Sequence, residues 1–284
     1  MLRFFDYLTH VPPLSFVQYG FMKNAFLAVL FMAPALALVG TMIVNGKMAF
    51  FAEALGHSAF TGIAIGSLAG IYSKSLVSIV FAAIFAFVVV YMKKKGWHSN
   101  DTIISVFSSS IVSLGIVIIS LSDGTSKYAS YFVGDLLSVK NEEVVLIFYI
   151  FISTVVFFSL IFKKVLASSI DQSLAASRGV NPFLSEYIFT AFVAVTVTLT
   201  IKFAGLLIIN ALLVMPAASA KNVCRNIEAY ILTSVLVSIV CGISGLVFSY
   251  FLNTAVGATI VIVNTFVFIL TLICRNSFST GGGK

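Results

Sequence analysis

Residues 48–70 read MAFFAEALGHSAFTGIAIGSLAG, an apolar run long enough to cross a membrane that nevertheless contains Glu53 and His57. An ionisable side chain at bilayer depth is costly, so it normally faces a partner or a water-filled path. The spacing of four residues places the carboxylate and the imidazole on one face of a helix, one turn apart. The rest of the chain is therefore interpreted around a membrane helix that carries a charged pair.

Three interpretations of this pair stay open on the residues alone. A carboxylate and an imidazole are suitable ligands for a transition-metal ion, so the pair can belong to an ion path. The two groups can equally form a structural ion pair. They can also lie at the membrane surface near the start of the helix.

Three glycines lie roughly on the opposite side of the same predicted helix. Gly62, Gly66 and Gly70 form a small-xxx-small pattern, which lets two helix backbones approach closely. Thr61 and Ala64 instead share the side of the charged pair, given about 100° of rotation per residue. We therefore predict that the glycines contact a neighbouring helix and that Thr61 faces the path.

The composition places the chain among polytopic membrane proteins. Of its 284 residues, 60% are hydrophobic and 10% are charged, and the mean hydropathy is +1.10. A soluble domain of this length cannot bury so much apolar surface. The net charge of +7 comes from Lys and Arg between apolar runs, so we expect contact with membrane lipid and not with nucleic acid.

The apolar runs predict an all-α transmembrane bundle of about eight to nine spans, in a single transmembrane domain over residues 1–284. The candidate spans are 24–45, 48–70, 75–92, 102–121, 143–162, 184–201, 203–219, 227–250 and 255–274. Residues 1–22 are too broken by polar residues and prolines to span, so an interfacial segment is expected. Asn210, inside the seventh run, either hydrogen-bonds to a neighbouring helix or faces the path.

The basic residues orient this bundle. If Lys93–Lys95 lie in the cytoplasm, eleven of the 17 Lys and Arg are inside and six are outside. The opposite orientation would reverse that bias. The six outside are Arg3, Lys23, Lys74, Lys127, Lys140 and Lys202. Residues 165–182 then lie in the cytoplasm, where apolar residues four apart predict a short helix outside the membrane.

Five segments carry a family resemblance in one consistent order along the chain. They are AEALGHSAFTGIAIG at 52–66, DTIISVFSSSIVSLGIVIIS at 101–120, YFVGDLLSV at 131–139, DQSLAASRGV at 171–180 and KFAGLLIINALLVMPAASA at 202–220. Together they resemble the permease subunits of zinc and manganese ABC importers, the ABC-3 family. That family often has Asp-x-x-x-His in its second helix; here Glu53 replaces the aspartate and keeps the carboxylate.

The resemblance implies a multi-pass permease of the plasma (inner) membrane that is not itself an enzyme. It implies a second permease copy, most simply in a homodimer, together with ATP-binding subunits and an extracytoplasmic metal-binding protein. The chain has no GxxxxGK[ST] phosphate loop, so ATP hydrolysis is expected in a separate subunit. No permanently bound cofactor is expected, and the transported substrate is expected to be Zn²⁺ or Mn²⁺.

Two groups of residues receive roles from this resemblance. Glu53 and His57 are the predicted metal ligands, and two copies meeting at a two-fold axis would give four N/O ligands. The cytoplasmic loop before the last four spans corresponds to the family's coupling helix, which contacts the ATP-binding subunit. The predicted contact residues are Asp171, Leu174, Ala175, Ala176 and Gly179.

Other classes of membrane protein compete with this prediction. A permease for a metal chelate, such as a siderophore or cobalamin, has a related architecture but needs a wide path without direct ion ligands. An ion-coupled secondary transporter or channel would work without an ATPase. A membrane enzyme is disfavoured, because the three scattered histidines form no nucleophile–base constellation.

Overall fold

The computed structural model describes residues 20–70, 73–95, 100–121, 134–170, 179 and 181–280. This part of the chain is built of α-helices, short connections and a 3-10 turn at Leu136–Ser138. The helices are α1 (Gly20–Asn45), α2 (Ala49–Leu68), α3 (Lys74–Lys95), α4 (Asn100–Ser120), α5 (Asn141–Ile170), α6 (Pro182–Val223), α7 (Ile227–Leu252) and α8 (Val256–Thr280).

Seven helices of the described ranges, all except α2, are long and apolar enough to cross a membrane. α6 has 42 residues and would be about 63 Å long if straight, twice the thickness of the hydrocarbon core. It is in fact two helices joined at Gly205, whose φ of 71° and ψ of 166° are not helical. With α2 and both halves of α6 included, the segments correspond to the nine predicted spans.

Ion pairs mark the two ends of the first half of α6, residues 182–204. Near its start, Glu186 pairs with Lys93 at the C-terminal end of α3. Near its end, the Nζ atom of Lys202 lies 2.7 Å from Oε1 of Glu143, in the first turn of α5. If Lys93 is cytoplasmic, this half of α6 runs outward and α5 begins at the outer end of the bundle.

The segment before α5 closes over the break in α6. Gly134 lies so near the carbonyl oxygen of Ala204 that an added Cβ would be 2.0 Å from it. Gly134 also has a φ of 81°, so this position needs glycine for two reasons. Asn24, near the start of α1, donates from Nδ2 to the carbonyl oxygen of Val139 at 3.0 Å. α1 therefore also starts at the outer end and runs inward.

The chain reverses direction at Gly205. Beyond it, an added Cβ on Gly40 of α1 would lie 1.7 Å from the carbonyl oxygen of Leu213, so the two backbones touch. Ala217 belongs to a cluster that packs against Val44, one turn further along α1. The second half of α6, residues 206–223, therefore runs inward beside α1, opposite to the first half.

α2 lies inside the bundle, packed against α3, α4 and α6. Thirteen of its 20 residues are buried, whereas α5 exposes much of its apolar surface. This burial explains how a helix with small and polar residues can be held in the membrane, since its neighbours and not lipid surround it. α2 is thus the element around which a site can be built.

Several predicted span boundaries differ from the structure. The break between the sixth and seventh spans was predicted at Lys202 and lies at Gly205. α5 continues past the predicted end at 162 to Ile170, so its last turns take up part of the region predicted as a separate cytoplasmic helix. α1 begins at Gly20, four residues before the predicted start of the first span.

Candidate functional site

Glu53 and His57 lie side by side on α2, as their spacing predicts. Oε1 of Glu53 is 3.7 Å from Nε2 of His57, which is longer than a hydrogen bond. Two ligands that each lie about 2.1 Å from one tetrahedral ion are about 3.4 Å apart, so this separation is close to that of two donors on one metal. The Glu53 side chain is 52% exposed and that of His57 is 17% exposed.

The turn between α1 and α2 sets the position of this pair. The backbone N–H of Met48 donates to the carbonyl oxygen of Ile43 at 2.9 Å, so the chain folds back and α2 starts beside the last turn of α1. Glu53 and His57 then lie about 6 and 12 Å along α2 from its inner end. The pair therefore lies in the first half of α2, nearer its inner end than its outer end.

A cavity of about 350 Å³ lies beside Glu53, between α2, the second half of α6 and α8. Among the described residues that line it, Glu53 and Asn210 have oxygen in their side chains and Met215 has a thioether. The other six are Ala, Phe, Leu or Val. The Oδ1 atom of Asn210 is buried and accepts no hydrogen bond. Two roles were predicted for Asn210, a hydrogen bond to a neighbouring helix and a position on the path. Its side-chain oxygen does not make the first.

Thr61 faces away from the cavity. Its side chain is fully buried, and its hydroxyl donates to the carbonyl oxygen of Ile111 on α4 at 2.8 Å. An added Cβ on Gly115 of α4 would lie 2.5 Å from Oγ1 of Thr61, and Ala64 packs with Ile119 on the same helix. The prediction that Thr61 faces the path is wrong, because α4 covers this side of α2.

Two of the three glycines contact α3. An added Cβ on Gly62 would lie 2.6 Å from Cα of Ser78, and one on Gly66 would lie 3.2 Å from Cβ of Val77. The predicted close helix contact is confirmed at both positions. It is wrong for Gly70, which has open space around it and a φ of +65° in the turn after α2.

One copy of the chain offers few metal donors. In the described ranges, no group of three or more His, Cys, Asp or Glu side chains is placed to hold a metal ion. Glu53 and His57 are two donors, fewer than the four of a tetrahedral Zn²⁺ site or the six of an octahedral Mn²⁺ site. Nδ1 of His57 is buried without a partner among the described residues, so none of them anchors the far side of the ring.

The model of one protein family, described as "ABC 3 transport family", matches residues 18–275. The chain belongs to the ABC 3 transport family. The segments that carry the resemblance in the sequence all begin and end within this match. The predicted family is therefore confirmed, and this ABC 3 permease is a multi-pass protein of the plasma membrane.

Named relatives of this ABC 3 permease cover nearly its whole length. The high-affinity zinc uptake system membrane protein ZnuB of Haemophilus influenzae is 31% identical over 243 residues, which is 84% of this chain and 92% of that protein. The manganese import system permease protein ScaB of Streptococcus parasanguinis is 25% identical over 254 residues, or 89% and 90% of the two chains.

A solved structure has the same fold. PsaBC from Streptococcus pneumoniae, in complex with a Fab, matches with a TM-score of 0.81 over 92% of this chain and 94% of the matched chain. The sequence identity is 23%, so this likeness concerns the fold alone. It confirms the predicted all-α polytopic bundle.

The predicted coupling residues are for the most part not described. Asp171, Leu174, Ala175 and Ala176 lie outside the described residues. Gly179 is described and has a φ of 73°, the left-handed conformation that favours glycine.

Nothing in the sequence indicated Met215 as a cavity residue, because a methionine in an apolar helix is ordinarily part of the core.

Proposed function

We propose that this chain is the permease subunit of an ATP-driven importer for Zn²⁺ or Mn²⁺. The observation that carries the proposal is the Glu53–His57 pair, a carboxylate and an imidazole 3.7 Å apart, with Glu53 in the wall of a cavity. Both groups are ligands for these ions. Relatives named for zinc uptake and manganese import, matching over most of the chain, support the same class of substrate.

A second copy of the chain completes the site, most simply in a homodimer. A two-fold axis beside α2 doubles the two donors of one copy to four. The half-exposed carboxylate of Glu53 supports this arrangement. A carboxylate facing lipid would cost a few kcal/mol, whereas a second copy, a water-filled path or the ion itself can stabilise it.

The other components act at the two ends of the bundle. An extracytoplasmic metal-binding protein delivers the ion at the outer end, where residues 134–139 cover the break in α6. A separate ATP-binding subunit contacts the predicted coupling segment, Asp171–Gly179, at the inner end.

Arginine in place of Ala175 or Ala176 should uncouple ATP hydrolysis from transport. If crosslinkers placed along this segment never capture the ATP-binding subunit, the assignment is wrong.

Metal uptake by vesicles tests the proposed site. Vesicles that carry the full chain with its ATP-binding subunit receive radioactive zinc or manganese, separately and in competition. Glu53→Ala and His57→Ala should each abolish uptake while the assembled complex is retained. Glu228→Ala is the matched control, because Glu228 is an exposed carboxylate in the first turn of α7 and should not affect uptake.

The outcomes separate the competing interpretations. Normal uptake by the Glu53→Ala/His57→Ala double variant rejects the site. Loss of the assembled complex in either single variant identifies a structural ion pair. Uptake of a siderophore or cobalamin without uptake of the free ions favours a chelate permease. Uptake that needs no ATP-binding subunit favours an ion-coupled transporter or channel.

A further inference from the structure

We propose that Asn210 is a further donor on the ion path, and that its side-chain oxygen makes the path favour Mn²⁺ over Zn²⁺. The inference rests on the proposed function, because it takes a free metal ion as the substrate. It adds to that function a residue from a second helix and a preference between the two ions.

Asn210 shares a cavity with Glu53 but comes from a different element. It lies on the second half of α6, one to two turns after the break at Gly205, while Glu53 projects from α2. Met215 also lines the cavity, and its sulfur is 3.9 Å from the hydroxyl of Thr265. The other described lining residues have hydrocarbon side chains. An ion held by Glu53 in this cavity therefore has the amide of Asn210 as the other oxygen-bearing side chain of the described lining.

The amide oxygen of Asn210 is not engaged by any group that the structure describes. Oδ1 is buried and has no hydrogen-bond partner, a state that is rare for buried polar atoms in folded proteins. The terminal amide torsion of asparagine is broad and roughly two-fold. Rotation about this torsion can bring Oδ1 toward the cavity, and it breaks no hydrogen bond at the oxygen.

Coordination chemistry gives the preference between the ions. Two copies supply two carboxylates and two imidazoles, which is the donor number of a tetrahedral Zn²⁺ site. Two Asn210 oxygens raise the set to six donors, four of them oxygen, and six oxygen-rich donors suit octahedral Mn²⁺. The amide is neutral, so it adds a donor without adding charge that would slow release of the ion.

Ion binding to the purified complex tests this role directly. MnCl₂ and ZnCl₂ are each titrated against the full chain with its ATP-binding subunit in detergent, and uptake is measured in parallel. Asn210→Leu keeps the approximate size and removes both polar atoms. We expect Mn²⁺ affinity to fall about tenfold and Zn²⁺ affinity by less than about threefold, because the variant removes one weak, neutral donor from each copy. Asn210→Asp keeps an oxygen and should retain Mn²⁺ binding.

The chain offers a matched control at Asn264 of α8. Its Oδ1 atom, like that of Asn210, is buried without a partner, but Asn264 does not line the cavity. Asn264→Leu should leave the ratio of the two affinities unchanged. If Asn210→Leu does not fold, Asn210→Ala removes the same oxygen with a smaller side chain.

Each outcome decides between the proposals. Wild-type Mn²⁺ affinity in Asn210→Leu, with binding lost in Glu53→Ala, overturns the role of Asn210 and leaves the proposed function intact. Equal weakening of both ions in Asn210→Leu overturns the preference for Mn²⁺. Unchanged binding of both ions in Glu53→Ala rejects the proposed function and, with it, the role of Asn210.

Discussion

The hydroxyl of Thr61 donates a hydrogen bond to the carbonyl oxygen of Ile111, 2.8 Å away on α4. This contact determines which sides of α2 are covered. α4 covers the side of Thr61, and α3 covers the side of Gly62. The side of Glu53 faces the cavity. The position of the site thus depends on the neighbours of α2 as much as on its own sequence.

Thr61→Val tests this contact by removing the hydroxyl and keeping the shape of the side chain. We expect the free energy of unfolding to fall by about 0.5–1.5 kcal/mol, the usual value of one buried hydrogen bond, with less expected inside a membrane. Zinc and manganese uptake should keep their wild-type ratio. Thermal unfolding of the purified complex measures the first effect, and vesicle uptake the second.

Cysteine labelling gives a second prediction for the same residue. In a variant without the native cysteines, Thr61→Cys should resist a water-soluble thiol reagent in every transport state, because α4 covers it. Ser73→Cys, in the exposed turn before α3, is the positive control and should react readily. Rapid labelling at 61 would mean that α4 moves away during transport and that this side of α2 joins the path.

The helices could be predicted from the sequence because each long apolar run is bounded by charges or turns. The lysine cluster that contains Lys93 is one such boundary, and the structure pairs this lysine with Glu186 at the start of α6. The small-xxx-small pattern also predicted correctly that Gly62 and Gly66 contact another helix, because glycines spaced four apart let two helix backbones approach closely.

The errors come from contacts that a single helix does not contain. A helical projection gives the angle between Thr61 and Glu53 but not which helix covers each of them. The break was predicted at Lys202, yet this lysine lies within the helix and pairs with Glu143, which is 59 residues away in the chain. The cavity beside Asn210 likewise forms only when α2, α6 and α8 meet.

A glycine series predicts graded damage to the contact between α2 and α3. Gly62→Ala should destabilise most, because its Cβ would lie 2.6 Å from the backbone of Ser78. Gly66→Ala should have a smaller effect, since its nearest atom would be a side-chain carbon 3.2 Å away. Gly20→Ala has nothing within 4 Å and is the control. Melting temperatures of the three purified variants should follow this order, and equal values for Gly62→Ala and Gly20→Ala would contradict the close contact.

The two ion pairs of α6 should differ in their contribution to stability. Lys93 and Glu186 have side chains only 12% and 25% exposed, so Lys93→Met leaves a largely buried carboxylate unpaired. We expect a loss of about 3 kcal/mol, as for other broken buried pairs, and partial recovery when Glu186→Gln is added. Lys202 is 57% exposed, so Lys202→Met should cost less than about 1 kcal/mol. Equal losses in denaturant unfolding would contradict this difference in burial.

Gly205 should be the least replaceable residue of α6. Its φ of 71° and ψ of 166° lie in a region that is essentially restricted to glycine, unlike the left-handed helical region that asparagine tolerates. Asn253, with φ of 49° and ψ of 45°, occupies that second region at the end of α7 and gives the matched control. We therefore expect Gly205→Ala and Gly205→Asn each to lower stability by about 1–3 kcal/mol, whereas Asn253→Gly should have little effect.

The break at Gly205 also positions the covering segment at the outer end. Straightening α6 would move the carbonyl oxygen of Ala204, against which Gly134 is packed. The Gly205 variants should therefore increase protease cleavage within residues 121–140, while Asn253→Gly keeps the wild-type pattern. Wild-type stability and cleavage in Gly205→Asn would show that asparagine can hold this break, and the requirement for glycine at Gly205 would have to be abandoned.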